Sequence, residues 1–182
     1  LISMAPGIYL IAFPEISLGV LFGDSFTAGS AALAILVIGQ AIVLIFGPSS
    51  NSLKAFEESR YIAVTYGLAA VINLLLNGLL VPLAGLMGAA IATSIAMVLQ
   101  AVLHFRRVRH YVSVPLPKWG VIYGLSSGLL AVIVASLIAQ EIDSAHLFVL
   151  HIALFSLVYV GGLVVTGGVG KKEIQSILSL VR

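Results

Sequence analysis

The chain contains no cysteine, so it can build neither a disulfide nor a thiolate metal site. Charge is nearly as scarce. Asp, Glu, Lys and Arg make up 9% of the 182 residues, where a soluble domain carries about a quarter. With 60% of the residues hydrophobic, a water-soluble fold would lack the polar side chains to cover its surface, and lipid must be the solvent for most of the chain. The net charge of +2 comes from bases at the ends of apolar runs and not from a basic stripe, which argues against nucleic acid as a partner. No P-loop, nucleophile motif or pair of buried carboxylates is visible, and no histidine stands at metal-ligand spacing from an acid. Enzyme chemistry has no seat, and no catalytic residue, cofactor or metal is expected.

What is present is apolar helix. A bilayer core near 30 Å takes about 20 apolar residues. Six segments meet that length: helix A over about Met4–Phe22, B over Ala28–Leu53, C over Tyr61–Val81, D over Leu86–Phe105, E over Trp119–Ala139 and F over Leu147–Thr166. The expected fold is all-α, a polytopic bundle of six transmembrane spans. Helix B would be about 39 Å long and should tilt, project or bend at Pro48. The first apolar run has no base before it and five apolar runs after it, unlike a cleaved signal peptide. A chain that starts at Leu1 reads as a piece of something longer.

The connections alternate in chemistry. The A–B turn has Asp24 and no base, the C–D turn around Pro82–Gly85 is uncharged, and the E–F loop has Glu141 and Asp143. The B–C loop holds Lys54, Glu57, Glu58 and Arg60. The D–E loop holds Arg106, Arg107, Arg109 and Lys118, with Pro115 and Pro117, and the tail holds Lys171, Lys172 and Arg182. All nine bases therefore fall on one side, which the positive-inside rule makes cytoplasmic, together with both chain ends. In the tail, Ile174, Ile177, Leu178 and Val181 share one helical face, the pattern of an amphipathic helix in the cytoplasmic interface, although a stretch this short could equally fray.

Polar groups inside spans are costly and mark function by default. Glu15 is the one acid well inside a span, seven residues before Phe22 and about 10 Å deep. It is a candidate for cation coupling or for contact with a polar substrate. The competing reading uses Pro14 as a kink, which makes Glu15 a first-turn residue suited to the helix dipole. Gln40, Gly47 and Asn51 lie nearly on one face of helix B close to Pro48, as a cavity wall beside a hinge or as interhelical hydrogen-bonding groups. Asn73 and Asn77 are an i, i+4 pair on helix C, facing a cavity or bonding a neighbouring helix. Small residues four apart, Gly88, Ala92 and Ala96 on D and Gly120, Gly124 and Gly128 on E, are packing faces. His104, His110, His146 and His151 are expected at the interfaces.

The order of these features resembles a known family. Phe13-Pro14-Glu15-Ile16 leads to Leu21-Phe22-Gly23, and Phe26 and Ala28 precede a long helix that ends in Asn51-Ser52-Leu53-Lys54-Ala55. Val71-Ile72-Asn73-Leu74, Asn77, Val81-Pro82 and Gly85-Leu86-Met87-Gly88-Ala89-Ala90-Ile91-Ala92-Thr93 follow. Over about 90 residues this resembles the C-terminal half of the polysaccharide and lipid-linked oligosaccharide flippases, in the multidrug/oligosaccharidyl-lipid/polysaccharide exporter superfamily.

The resemblance implies that residues 1–110 are four spans of an incomplete MATE-like C-terminal lobe. Residues 111–167 would then be the additional pair of fourteen-span members, and 168–182 a cytoplasmic amphipathic tail. It implies a monomer in the cell membrane of a prokaryote, with an N-terminal lobe outside this chain. That transporter would turn a polyprenyl-phosphate-linked sugar chain from the cytoplasmic to the outer leaflet by alternating access. Glu15, Gln40, Asn51, Asn73 and Asn77 are the groups this half could offer to a substrate or ion pathway, and Pro14 and Pro48 its hinge candidates. Membrane lipid and the lipid-linked sugar are the expected partners. One departure stands out: Phe56-Glu57-Glu58 occupies a place where many members have glycine. A multidrug/cation antiporter of the same superfamily, with Glu15 binding the cation, and a non-transporting membrane scaffold remain alternatives.

Overall fold

The computed structural model describes residues 4–46, 49–113, 118–137 and 145–167. Among them every regular element is helical: α1 (Ala5–Ala12), α2 (Pro14–Phe22), a 3-10 segment (Asp24–Gly29), α3 (Ser30–Ile45), α4 (Ser49–Ala55), α5 (Ser59–Val108), α6 (Lys118–Ser136) and α7 (Ala145–Val165). The chain forms two compact units, Phe13–Leu116 on one hand and Leu1–Ala12 with Pro117–Arg182 on the other. Helix α1 thus falls in the same unit as α6 and α7.

The larger unit is organised by a reversal inside α5. A straight helix of 50 residues would run about 75 Å, yet residues some 40 positions apart touch. The Tyr61 hydroxyl donates to the Leu103 carbonyl at 3.1 Å, and Arg107 reaches Glu58. The chain turns back at Gly85, whose φ of 54° and ψ of −129° leave the helical region. Pro82, one turn earlier, removes a helical N–H. Two antiparallel arms result, 59–84 and 86–108. Gly88 is buried at their closest approach, where a Cβ would run into the Leu80 carbonyl.

Helix α3 lies parallel to the second arm. Leu86 packs at Gly29, Ser94 Oγ donates to the Ile35 carbonyl at 3.2 Å, and the Phe46 and Phe105 rings are 5.4 Å apart. Small residues make this crossing close: Gly39 sits against Ser94, and Ala92 and Ala96 are buried. The unit therefore has two chemically distinct ends. Asp24, Gly29 and the Pro82–Gly85 turn form one, without a base. Lys54, Arg60, Arg106, Arg107 and Arg109 form the other.

In the smaller unit α6 and α7 run antiparallel, with Gly124 facing Tyr159, Ser127 facing Gly162 and Ala135 facing His151. Helix α1 lies along α6, Met4 on Gly124 and Ile8 on Gly128, so these two glycines of helix E lie on a packing surface.

Two expectations need correction. Helix A is not continuous. It breaks at Phe13 (φ −128°, ψ 52°), because Pro14 donates no hydrogen bond and keeps the preceding residue out of the helical region. Helix B is not one helix either: α3 ends at Ile45 and the short α4 begins at Ser49, with Pro48 outside the described residues. Among the described residues, four helices are long and apolar enough to cross a membrane: Asp24–Ile45, Ser59–Val108, Trp119–Ser136 and His146–Val165. The number is five if the broken α1–α2 pair is one span, and α5 with its reversal enters as one helix. Large apolar side chains face outward on these helices, Leu74, Leu83 and Leu157 among them, as a lipid solvent requires. The expected tail helix at 168–182 lies outside the described residues.

Candidate functional site

The candidate polar residues of the larger unit divide by depth. Asn73 and Asn77 stand on the first arm between two cross-arm contacts, Thr65 with His104 on one side and Leu80 with Gly88 on the other. That is the middle stretch of the hairpin. The Asn77 amide donates to the Asn73 carbonyl at 2.9 Å and to the Asn73 side-chain oxygen, so each half-buried amide meets part of the other's hydrogen-bonding demand. Gln40 is exposed and follows Gly39, at the level of Ser94, again the middle stretch. These amides can exchange hydrogen bonds with hydroxyl groups or water, and among the described residues no Lys or Arg accompanies them at that depth. The other two candidates lie elsewhere. Asn51 is exposed on α4 at the basic end, and Glu15 is exposed in the first turn of α2 directly after Pro14. Asn73 and Asn77 are the pair of candidates that the fold brings into contact.

The basic end carries a polar cluster that the motif reading did not assemble. Arg107 Nη2 and Nε donate to Glu58 Oε1 at 2.5 and 3.1 Å, and the Tyr111 hydroxyl donates to the same oxygen. The guanidinium also stands over the Tyr61 and Tyr111 rings, at 5.3 and 5.8 Å. Hydrogen bonds from Tyr111 and then Arg107 hold the Glu58 carboxyl below its ordinary range, and the Glu58 partner holds the Tyr111 phenol above its own. Deeper in, Thr65 Oγ1 donates to the Tyr61 and Ile62 carbonyls at 2.9 Å. Its one proton being used there, its oxygen accepts from His104 Nε2 at 2.6 Å. His104 is buried. The available signal was a reflection of the sequence about the uncharged Pro82–Gly85 turn, which sets Glu58 near Arg107 and Thr65 near His104.

A second buried histidine is His151. It is buried in the smaller unit, and its Nε2 lies 3.0 Å from the Ala135 carbonyl. A carbonyl only accepts, so Nε2 carries the proton, and in the neutral imidazole Nδ1 accepts from the Tyr9 hydroxyl at 2.8 Å. Phe148 and Phe155 pack edge-on to Tyr9. This chain of bonds ties α1 to α6 and α7. Its long-range pairing, 142 residues apart in sequence, has no signature in periodicity.

No family model matches the chain, and no solved structure matches it. Over 108 residues, 58% of this chain, the sequence is 32% identical to a protein of Haloferax volcanii described as a probable low-salt glycan biosynthesis flippase, Agl15. The matched stretch spans 22% of that relative's length.

Proposed function

We propose that the chain is part of a flippase that carries a lipid-linked oligosaccharide across the cell membrane, for surface glycan assembly or export. The observation that carries this reading is the similarity over 108 residues to a protein described as a glycan flippase. The order of the Pro14-Glu15, Asn51, Asn73, Asn77 and Gly85–Thr93 features along the helices supports it. Counting the two arms of α5 separately and the broken α1–α2 pair as one span gives six spans, with the basic end cytoplasmic. The role is transport and not catalysis: the cargo's head group crosses while its lipid tail stays in the bilayer, as the protein alternates its access. Asn73, Asn77 and Gln40 are suited to hydrogen-bond sugar hydroxyls in the middle of the membrane. The cargo's phosphate must find its cations elsewhere in the full-length protein, because the middle stretch holds none. An inside-negative potential favours outward movement of that phosphate by about 2.3 kcal/mol per charge per 100 mV.

The test is reconstitution of the full-length protein in vesicles holding a polyprenyl-phosphate-linked glycan, with lectin access reporting its arrival on the far leaflet. Protein-dependent transfer, slowed about tenfold or more by Asn73→Leu with Asn77→Leu, is the expected outcome for loss of hydrogen bonds worth roughly 1.4 kcal/mol in the rate-limiting step. Absence of transfer, together with proton-driven export of organic cations that Glu15→Gln abolishes, would replace the proposal with cation antiport.

A further inference from the structure

Three chain segments meet in a small apolar core at the basic end. Leu53 of α4 is fully buried against Ile62 of the first arm and Val108 of the second, with Tyr61 packed alongside. Each core residue has a base next to it or close by in sequence: Lys54 beside Leu53, Arg60 two residues before Ile62, and Arg107 and Arg109 on either side of Val108. Packing the core therefore gathers bases that stand up to 55 positions apart in the chain. The local balance is five bases, with Arg106, against the two acids Glu57 and Glu58. Glu58 is committed to Arg107. Lys54, Arg60, Arg106 and Arg109 are exposed, and among the described residues no carboxylate forms an ion pair with any of them.

The surroundings fix the depth at which this charge sits. Phe56 stacks on Tyr111 with ring centroids 4.7 Å apart, and Tyr61 and Tyr66 lie within a turn or two of the core. Amphipathic aromatic rings at the end of apolar helices mark the level of lipid head groups. A guanidinium fork matches a phosphate with two parallel hydrogen bonds. We infer that Lys54, Arg60, Arg106 and Arg109 form a binding site for the phosphate of an anionic phospholipid in the leaflet at the basic end. The Glu58–Arg107–Tyr111 clasp holds the ends of both arms in place beside it. The occupant is a resident lipid of the bilayer, because the four bases are open to the head-group layer and the middle stretch of the helices holds no cation to receive a phosphate that moved inward. This inference depends on the helices spanning a membrane and not on what the protein transports.

Native mass spectrometry of the full-length protein in detergent, titrated with phosphatidylglycerol and with phosphatidylcholine of the same chains, measures the site directly. The expected result is preferential retention of phosphatidylglycerol. Each base near such a head group contributes about fivefold in affinity, so Arg106→Gln with Arg109→Gln weakens retention by about 30-fold. Arg106→Lys with Arg109→Lys restores most of it, and the melting temperature without added lipid stays unchanged. Arg109→Gln alone, with a loss of about fivefold, carries the test if the double variant is not produced. Equal retention of the two lipids, or a preference that Arg109→Gln leaves undiminished, overturns the inference. So does a short-chain polyprenyl pyrophosphate that displaces phosphatidylglycerol from the wild type at equal concentration, since the site would then belong to cargo.

Discussion

The closeness of α3 to the second arm of α5 rests on Gly39, and a single methyl group tests it. A Cβ built at Gly39 would lie 2.6 Å from Ser94 Oγ, 2.7 Å from Ser94 Cβ and 3.1 Å from the backbone α-carbon of Ser94. Ordinary carbon contacts are about 3.5–4.0 Å, so the two helices would have to part by about 1 Å at that level. Overpacking of this kind costs about 1–3 kcal/mol, and Gly39→Ala is expected near 2 kcal/mol. Ser94→Gly loses the Oγ bond to the Ile35 carbonyl, worth about 0.6 kcal/mol between helices in lipid, and creates the missing space. In the double variant only the approach to the backbone at residue 94 remains, at 3.1 Å, which a shift of a few tenths of an ångström relieves. The double variant should therefore be more stable than the sum of the single effects predicts, by about 1 kcal/mol. Gly78→Ala is the control. Nothing lies within 4 Å of its Cβ position, and removing a helical glycine should be neutral or gain up to about 1 kcal/mol. The assay is equilibrium unfolding of the full-length protein in mixed micelles. Additivity of Gly39→Ala and Ser94→Gly within about 0.5 kcal/mol, or a Gly39→Ala as harmless as Gly78→Ala, would refute the packing argument.

Two further predictions concern the basic end. Helix α4 closes with Glu58 N–H bonded to the Leu53 carbonyl and Glu57 N–H to the Lys54 carbonyl, a Schellman turn whose left-handed residue is Glu57 at φ 58°. That conformation costs a non-glycine residue about 1–2 kcal/mol, and glycine gives back about 0.5–1 through the unfolded chain. Glu57→Gly should thus raise stability by up to about 1 kcal/mol in the same unfolding assay, and a loss beyond about 0.5 kcal/mol would show that the carboxylate matters more than the backbone. The Glu58 clasp should also depend on pH in a defined direction. Its carboxyl is held below the ordinary 4.5, so its contribution is complete above that value and is lost as pH falls through the lower folded-state value. Tyr111, held above its ordinary 10.0, loses its part only as pH rises past that point into the raised range. The melting-temperature gap between wild type and Glu58→Gln should be constant from about pH 6 to 8 and shrink in acid below the usual carboxylate range of about 4. A gap that closes already near neutrality contradicts the assignment.

Composition and charge placement determined a good deal on their own. Scarce charge and abundant apolar residues require helices in lipid, because only internal hydrogen bonding satisfies a backbone there. The uncharged Pro82–Gly85 turn was visible as a turn, since proline and a glycine free to take positive φ interrupt a helix locally. The gathering of Lys54 and Arg60 with Arg106, Arg107 and Arg109 at one end was legible from loop alternation alone. The Phe56-Glu57-Glu58 stretch, singled out in the sequence for lacking glycine, contains the residue that takes the left-handed turn, Glu57.

What the tertiary structure decided concerns partners distant in sequence. Asn73 and Asn77 are close in sequence, and their pairing follows from helical spacing. Glu58 with Arg107, Thr65 with His104, and Tyr9 with His151 depend on which arm folds onto which, and periodicity along one helix carries no information about its neighbour. The split of helix A has the same character. Pro14 announces a break in its local conformation, but that Ala5–Ala12 packs with α6 and α7 while Pro14–Phe22 packs with α3 depends on where the glycine faces of α6 and the Tyr9–His151 bond lie in space. Sequence alone assigned a partner to neither His104 nor His151. The structure buries both, because the Thr65 hydroxyl on the other arm of α5, the Ala135 carbonyl of α6 and the Tyr9 hydroxyl of α1 satisfy ring nitrogens that lipid could not.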